Sequence, residues 1–457
     1  MYRPELHIHP DHGILDAPAG ALYDGTYWHL FNQYRPDPTQ PSRWAHLVSS
    51  ATAFDFEICT DVLASTKDHE SIRAGSVVTT GDSTTFYYTH VVGNERTIKA
   101  ARVDDLGETI ADLDDDDLIL DEHIVDIGTV VANHEGLSRF RSPCVIPVDS
   151  GYLMVAVAGS SSDPVLVVLD SADGQHFKMR GPLTIHGDSG IASTFVVAPR
   201  IFQLRDEIDQ HLYDILLVTI DENGRDIAGC LVGKLNGTSF EVAKPFQRMD
   251  YGHDFGRPRT VNWAPDADNK EHTVIFGLLN SASRQDDGSA HLSFRAEGWA
   301  NCLSLAREIT LQGGHIYQTP TSGIIAAIEE SDRASMWTGI SEIPRGEHQT
   351  ITVLDINDQI ICTITHYGDH ITLDRSMNPN HAGDAVASAP LLYDATSSMT
   401  VIIDGSTVEV FGNGGQVAMA SRVYFDGPTT RFVLHNSEQV EVERSTLIKP
   451  LPEIFPA

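Results

Sequence analysis

Apolar and polar positions along this chain alternate in short runs. Residues 26–31 (TYWHLF), 85–89 (TFYYT), 153–157 (LMVAV) and 165–169 (VLVVL) are rich in β-branched and aromatic side chains and are bounded by Gly, Asp, Ser and Pro, which is how strands are composed and punctuated. Apolar spacing at three and four residues, the mark of an amphipathic helix, is almost absent. Many short strands with turn residues between them predict an all-β chain, and the pattern alone leaves propeller, sandwich and barrel open. The texture changes near residues 318–335. A turn cluster (QTPTSG, 318–323) precedes an Ala/Ile/Glu stretch at 324–331 that predicts a short linker helix. Strands resume at 349–354 (QTITVL) and 399–404 (MTVIID), which predicts a second domain, a β-sandwich beginning at about residue 335.

The 457 residues, 41% of them hydrophobic, are enough for two or three domains and a large core. A net charge of -33 argues against nucleic acid or an anionic membrane surface as a partner, and no run of 18 apolar residues offers a membrane span. Cys59, Cys144, Cys230, Cys302 and Cys362 are scattered and form no CxxC pair, so reduced thiols in the cytoplasm are expected. The N-terminus (MYRPE) lacks the basic and apolar regions of a signal peptide. The acidic run 112–117 lacks the spaced ligands and glycine of a calcium loop and reads as a solvated loop. His7, His9 and His12 have a spacing that suggests metal ligands, but structural roles account for them as well, and no metal or cofactor is expected.

The first segment, residues 3–23 (RPELHIHPDHGILDAPAGALY), resembles the opening motif of glycoside hydrolase family 32, the invertases and fructanases. Arg3, Pro4, His7, Pro10, Gly13, Pro18, Gly20 and Tyr23 match it without a gap. The resemblance continues in order: YWHLFNQYRP at 27–36, RWAH at 43–46, AGS at 74–76, FRSP at 140–143, VAP at 197–199, DYGHDF at 250–255 and EGWA at 297–300. Further matches are RE at 307–308, LDRS at 373–376 and DGSTVEVF at 404–411. It implies a five-bladed β-propeller followed by a C-terminal β-sandwich, with 1–320 as propeller, 321–334 as linker and 335–457 as sandwich. Asp374, Arg375 and Glu409 are then expected to make interdomain or sandwich packing contacts.

Retaining glycoside hydrolysis needs a carboxylate nucleophile and a carboxylic acid about 5 Å apart, and this family adds a third carboxylate that holds sugar hydroxyls. The resemblance puts those three positions at Ala17, Ser142 and Val197. Alanine and valine offer neither a nucleophile nor a proton, and a serine needs an activating base. Asp16 lies one residue from the first position, but strand alternation sends neighbouring side chains to opposite faces. Asp16 and Asp254 are the candidates for a relocated catalytic pair. Gln33, Trp44, Ser76, Arg141, Asp254 and Trp299 match family positions that line the sugar pocket, with core packing as the other reading for each tryptophan.

Arginine also stands where the family usually has another residue. Arg73, Arg257 and Arg259 are candidate anion-binding residues, and Arg35 and Arg200 are further replacements of this kind. Guanidinium forks recognise carboxylate, sulfate and phosphate; pairing with the many Asp and Glu of the chain is the alternative. Three functions follow. The first is a carbohydrate-binding homologue inactive by the family mechanism, with a pocket adapted to an anionic sugar. The second is an active glycosidase using relocated carboxylates. The third is a non-catalytic partner subunit of an active paralogue; a homo-oligomer is the other partner the sequence leaves open. A small-molecule carbohydrate is the expected ligand, with neither nucleic acid nor membrane as partner.

Overall fold

A computed structural model describes residues 2–448 apart from 51, 66, 68, 82, 110–118, 135, 194, 264–269, 281–286, 379–383, 393–396, 426 and 428–429. The acidic run 112–117 lies outside the described residues.

Between residues 13 and 320 the described strands form successive antiparallel groups of the kind that make propeller blades. The first blade is built on Gly13–Tyr23, Trp28–Arg35 and Arg43–Ser49, with Glu57–Ile58 and Leu63–Ala64 at its outer edge. The second runs Glu70–Thr80, Ser83–Val92, Glu95–Val103, Val125–Val131, and the third Arg141–Val148, Gly151–Gly159, Pro164–Ser171, Lys178–Pro182. The fourth comprises Val196–Arg205, Leu212–Glu222, Arg225–Asn236 and Ser239–Arg248, with Thr184–His186 added in parallel. The last is built on Phe255–Trp263, Thr273–Leu279, Arg307–Gln312 and His315–Pro320. The ring closes where the first and last inner strands pair in parallel, Ala21 opposite Val261.

The innermost strands share one irregularity. Each breaks register with its neighbour at the same place: between Leu15 and Ala17, Arg73 and Ser76, Arg141 and Cys144, Val197 and Arg200, and Gly256 and Arg259. A proline or glycine sits inside four of the breaks (Gly75, Pro143, Pro199 and Pro258) and Pro18 lies just beyond the first, and proline cannot donate to the ladder. Just before three of the prolines, Ser142, Ala198 and Arg257 take positive φ values of 55, 51 and 48°, a conformation that costs a non-glycine residue of order 1–3 kcal/mol. Gly75 meets a different demand, because a Cβ there would stand 1.8 Å from the Tyr87 carbonyl oxygen.

Helix Ile324–Glu330 leads from the last blade to a two-sheet sandwich. One sheet orders Val417–Arg422, Thr407–Gly412, Ser398–Asp404, Ser335–Glu342 and Glu441–Ile448. The other orders Val386–Pro390, His370–Asp374, Ile360–His366, Gln349–Leu354 and Arg431–Asn436. Their facing residues, Ile351, Val353, Ile364, Val401 and Val410 among them, make the sandwich core. A separate apolar cluster joins Leu15, Val261, Phe276 and Leu303 of the propeller to Met336, Ile402 and Phe411 of the sandwich.

Charge also crosses this junction. His7 Nδ1 lies 2.8 Å from Asp404 and its Nε2 3.1 Å from Glu409, with all three side chains buried. Glu409 in turn accepts from Arg307 Nε at 2.9 Å, and Arg307 reaches Asp250 at 2.8 Å. Nearby, Arg375 donates to Asp254 at 2.6 Å. The expectation of interdomain contacts thus holds for Arg375 and Glu409. His9 bonds the Pro4 and Pro10 carbonyls, so His7 and His9 are committed to structural partners rather than gathered as ligands. Among the described residues, no helix is long and apolar enough to cross a membrane.

Candidate functional site

The register breaks surround a cavity of about 680 Å³. The first inner strand contributes Asp16 and Ala17, the second Arg73 and Ala74, the third Arg141 and Ser142. The fourth contributes Val197 and Ala198, and the fifth Arg257 and Arg259. Ala17, Ser142 and Val197 are therefore brought together. The strand-alternation argument for Asp16 fails here: the irregularity between Leu15 and Ala17 lets consecutive residues line the same cavity, as a bulge does.

Asp16 is already engaged. Arg35 grips both of its oxygens, Nε to Oδ2 and Nη2 to Oδ1 at 3.0 Å each, and Gln33 Nε2 donates to it at 3.4 Å. Burial works against the Arg35 charge, but the Asp16 carboxylate outweighs it and holds the guanidinium above its ordinary pKa. Gln33 Oε1 accepts from the backbone N of Ala74 at 2.8 Å, which fixes the amide between the first two blades. Ser142 donates its backbone N–H to Thr89 Oγ1 at 2.9 Å, and among the described residues no base bonds its hydroxyl.

Arginine dominates the walls. Among the described lining residues, Arg35, Arg73, Arg96, Arg141, Arg257 and Arg259 face two carboxylates, Asp16 and Asp226. Arg141 is pushed down to about 10 by burial and by the charges of Arg96, Arg139 and Arg73. Burial, then Arg96 and Arg257, lower Arg73; burial and Arg139 lower Arg96. Arg259 is held well below the ordinary arginine range by burial and by Arg200. Burial, and after it neighbouring guanidinium charge, both disfavour the protonated form of these side chains.

Several expected site residues lie elsewhere. Asp254 is buried at the propeller–sandwich junction, where Arg375 and the backbone N of Arg422 (2.7 Å) occupy its carboxylate; it is neither a wall residue nor available as a relocated acid. Trp44 is fully buried among Ala17, Phe31 and Phe86, edge-on to Tyr88. Trp299 is also fully buried, its Nε1 donating to Glu297 at 2.8 Å and its ring lying between the Arg3 and Arg422 guanidiniums. Core packing is thus the correct reading for both tryptophans. Ser76 Oγ accepts from the backbone N of Val145 at 3.1 Å and ties the second blade to the third. Arg200 is buried beneath the wall and donates to carbonyls, among them Gly75 at 3.2 Å.

Arg96 and Asp226 went unnoticed in the sequence. Each sits one pair back from the tip of the hairpin joining the second and third strands of its blade, Arg96 opposite Val91 and Asp226 opposite Asp221. The Gly93-Asn94 and Asn223-Gly224 tips are turn signals that could have marked these hairpins as a rim. Phe195, Asn280 and Asn301 add an aromatic face and neutral amides to the wall.

Comparisons with known proteins agree with this architecture. The model of the glycosyl hydrolases family 32 N-terminal domain matches residues 7–320, and that of the family 32 C terminal matches 345–449. A sucrose-6-phosphate hydrolase of Vibrio alginolyticus is 25% identical over 93% of this chain and 86% of its own length. A raffinose invertase of Escherichia coli is 24% identical over 92% and 89%. Among solved structures, sucrose-6-phosphate hydrolase from Lactobacillus gasseri superposes with a TM-score of 0.76 at 17% identity, over 96% of this chain and 92% of that one. A β-fructofuranosidase variant of Bombyx mori in complex with sucrose gives 0.75 at 21%, over 97% and 93%. The fold is a β-propeller with a C-terminal β-sandwich, and this chain belongs to glycosyl hydrolases family 32.

Proposed function

We propose that this protein binds a negatively charged sugar in the cavity and does not cleave fructosides by the two-carboxylate route. One observation carries the reading: Ala17, Ser142 and Val197, where the family motifs place the carboxylates, share a wall with six arginines. A nucleophile and an acid are both missing there, and losing one member of a catalytic unit costs about as much rate as losing all of it. The arginines supply charge recognition, while Gln33, Asn280 and Asn301 suit sugar hydroxyls and Phe195 suits an apolar ring face. Kinship with sucrose-6-phosphate hydrolases supports a phosphorylated sugar as one such ligand. The buried free cysteines support a reducing, cytoplasmic setting.

A second reading is favoured by the two wall carboxylates: a hydrolase that uses Asp16 and Asp226 in place of the family pair. One experiment separates the two. The purified protein is incubated at high concentration with sucrose, inulin, levan, and phosphorylated and uronic glycosides, beside a double variant Asp16→Asn/Asp226→Asn. Hexose release above that control establishes the second reading and ends the first. Calorimetric binding of a charged sugar without release supports the first.

A further inference from the structure

The six wall arginines are not equivalent. Arg35 is spent on Asp16. Arg257 Nη1 donates to the Asp16 carbonyl at 2.7 Å, and Arg259 donates to the carbonyls of Gly75, Arg257 and Pro258. Arg141, like Arg257, donates only to backbone carbonyls, Gly159 at 2.7 Å and Ser160 at 3.2 Å among them, which leaves its charge uncancelled; unlike Arg257 it comes from the blade next to that of Arg73 and Arg96. Arg73 and Arg96, among the described residues, make no side-chain hydrogen bond and no ion pair. Both face the cavity; Arg73 is exposed within it and Arg96 half-buried.

These three side chains come from separate strands of neighbouring blades: Arg73 from the inner strand of the second, Arg96 from its third strand, Arg141 from the inner strand of the third. We infer, on the basis of the sugar-binding reading above, that the ligand's charged group is a tetrahedral oxyanion, a phosphate monoester or a sulfate ester. In this assignment Arg73, Arg96 and Arg141 hold it between the second and third blades. A carboxylate is planar and is satisfied by a single guanidinium fork; an ester of phosphate or sulfate offers three terminal oxygens to donors arriving from several strands. The charges of Arg96 and Arg73 both act on Arg141, and that of Arg96 acts on Arg73, so the three lie within electrostatic reach of one another.

The test is calorimetry at fixed ionic strength with sucrose and glucose, their 6-phosphate and 6-sulfate esters, and glucuronate. The wild-type protein should bind an ester at least about ten-fold more tightly than its neutral parent, and glucuronate more weakly than the esters. Arg73→Gln and Arg96→Gln should each reduce the ester-to-parent ratio by about ten-fold, the low end of what losing a charge-assisted hydrogen bond costs. Phosphate and sulfate arms distinguish the two esters. An undiminished ratio in both variants, loss of the ratio in Arg257→Gln instead, or glucuronate binding as tightly as the esters overturns the assignment while sugar binding stands. Failure of every sugar, neutral or charged, to bind removes the proposed function itself, and this assignment with it.

Discussion

His7 makes the stability of this protein depend on pH in a defined window. Its ring is buried between Asp404 and Glu409. Burial alone would lower its pKa, but the two carboxylates outweigh that and raise it from the ordinary 6.5 to about 8. A histidine pKa raised on folding stabilises the native state fully below the unfolded value, and that contribution is lost as pH climbs through the folded one. From about pH 6 to about pH 9 the loss amounts to about 2 kcal/mol. His9, His29, His46, His315 and His366 are shifted the other way, mainly by burial, and act as pH falls below 6.5. The comparison should therefore be made with His7→Gln, which removes one titration and leaves the others. Urea denaturation, followed by tryptophan fluorescence from pH 6 to pH 9, should show the wild-type advantage shrinking by about 2 kcal/mol across the window. A gap between wild type and variant that stays constant with pH would refute a charged His7.

Arg307→Ala leaves buried Asp250 without its guanidinium and buried Glu409 with His7 alone, so a loss of about 3–5 kcal/mol should appear as a lower denaturation midpoint; an unchanged midpoint would show that the network contributes little. Gly75→Ala drives a Cβ into the Tyr87 carbonyl, and soluble yield should collapse, whereas near-normal expression would mean the strand can shift aside. Ala17→Asp alone should confer no sucrose hydrolysis, because a nucleophile without a proton donor completes neither half of the reaction. Turnover in that single variant would assign the proton-donor role to a wall carboxylate, Asp16 or Asp226.

The blades were legible wherever alternation and turn residues agree: residues 85–89 lie within strand Ser83–Val92, and residues 349–354 are a strand from end to end. The linker helix was visible from composition. Helix Leu292–Glu297 was not, since six residues are too few to display a period. At the site, sequence order found the five wall segments because they carry the family motifs, but it misjudged directions. Asp16 joined Ala17 because the strand bulges. Trp44 and Trp299 turned inward because a propeller has more interior to fill than a pocket has wall. Asp254 looked like a free acid because its partner, Arg375, lies 121 residues away. Arg96 and Asp226 belong to hairpin tips that no inner-strand motif includes.

The repeated irregularity of the inner strands bears on how such a molecule can change trade. Prolines, together with glycine in the second blade, shape the backbone there; the residues presented to the cavity, Ala17, Ala74, Ser142 and Ala198 among them, are small and add little to the framework. Clustered carboxylates in a confined space repel one another and resist ionisation, but beside six arginines they would also offset charge. The framework therefore stands whichever side chains the breaks present, and the charge of the wall can be exchanged without rebuilding it. Drift alone can empty the site, and only selection for turnover can refill it.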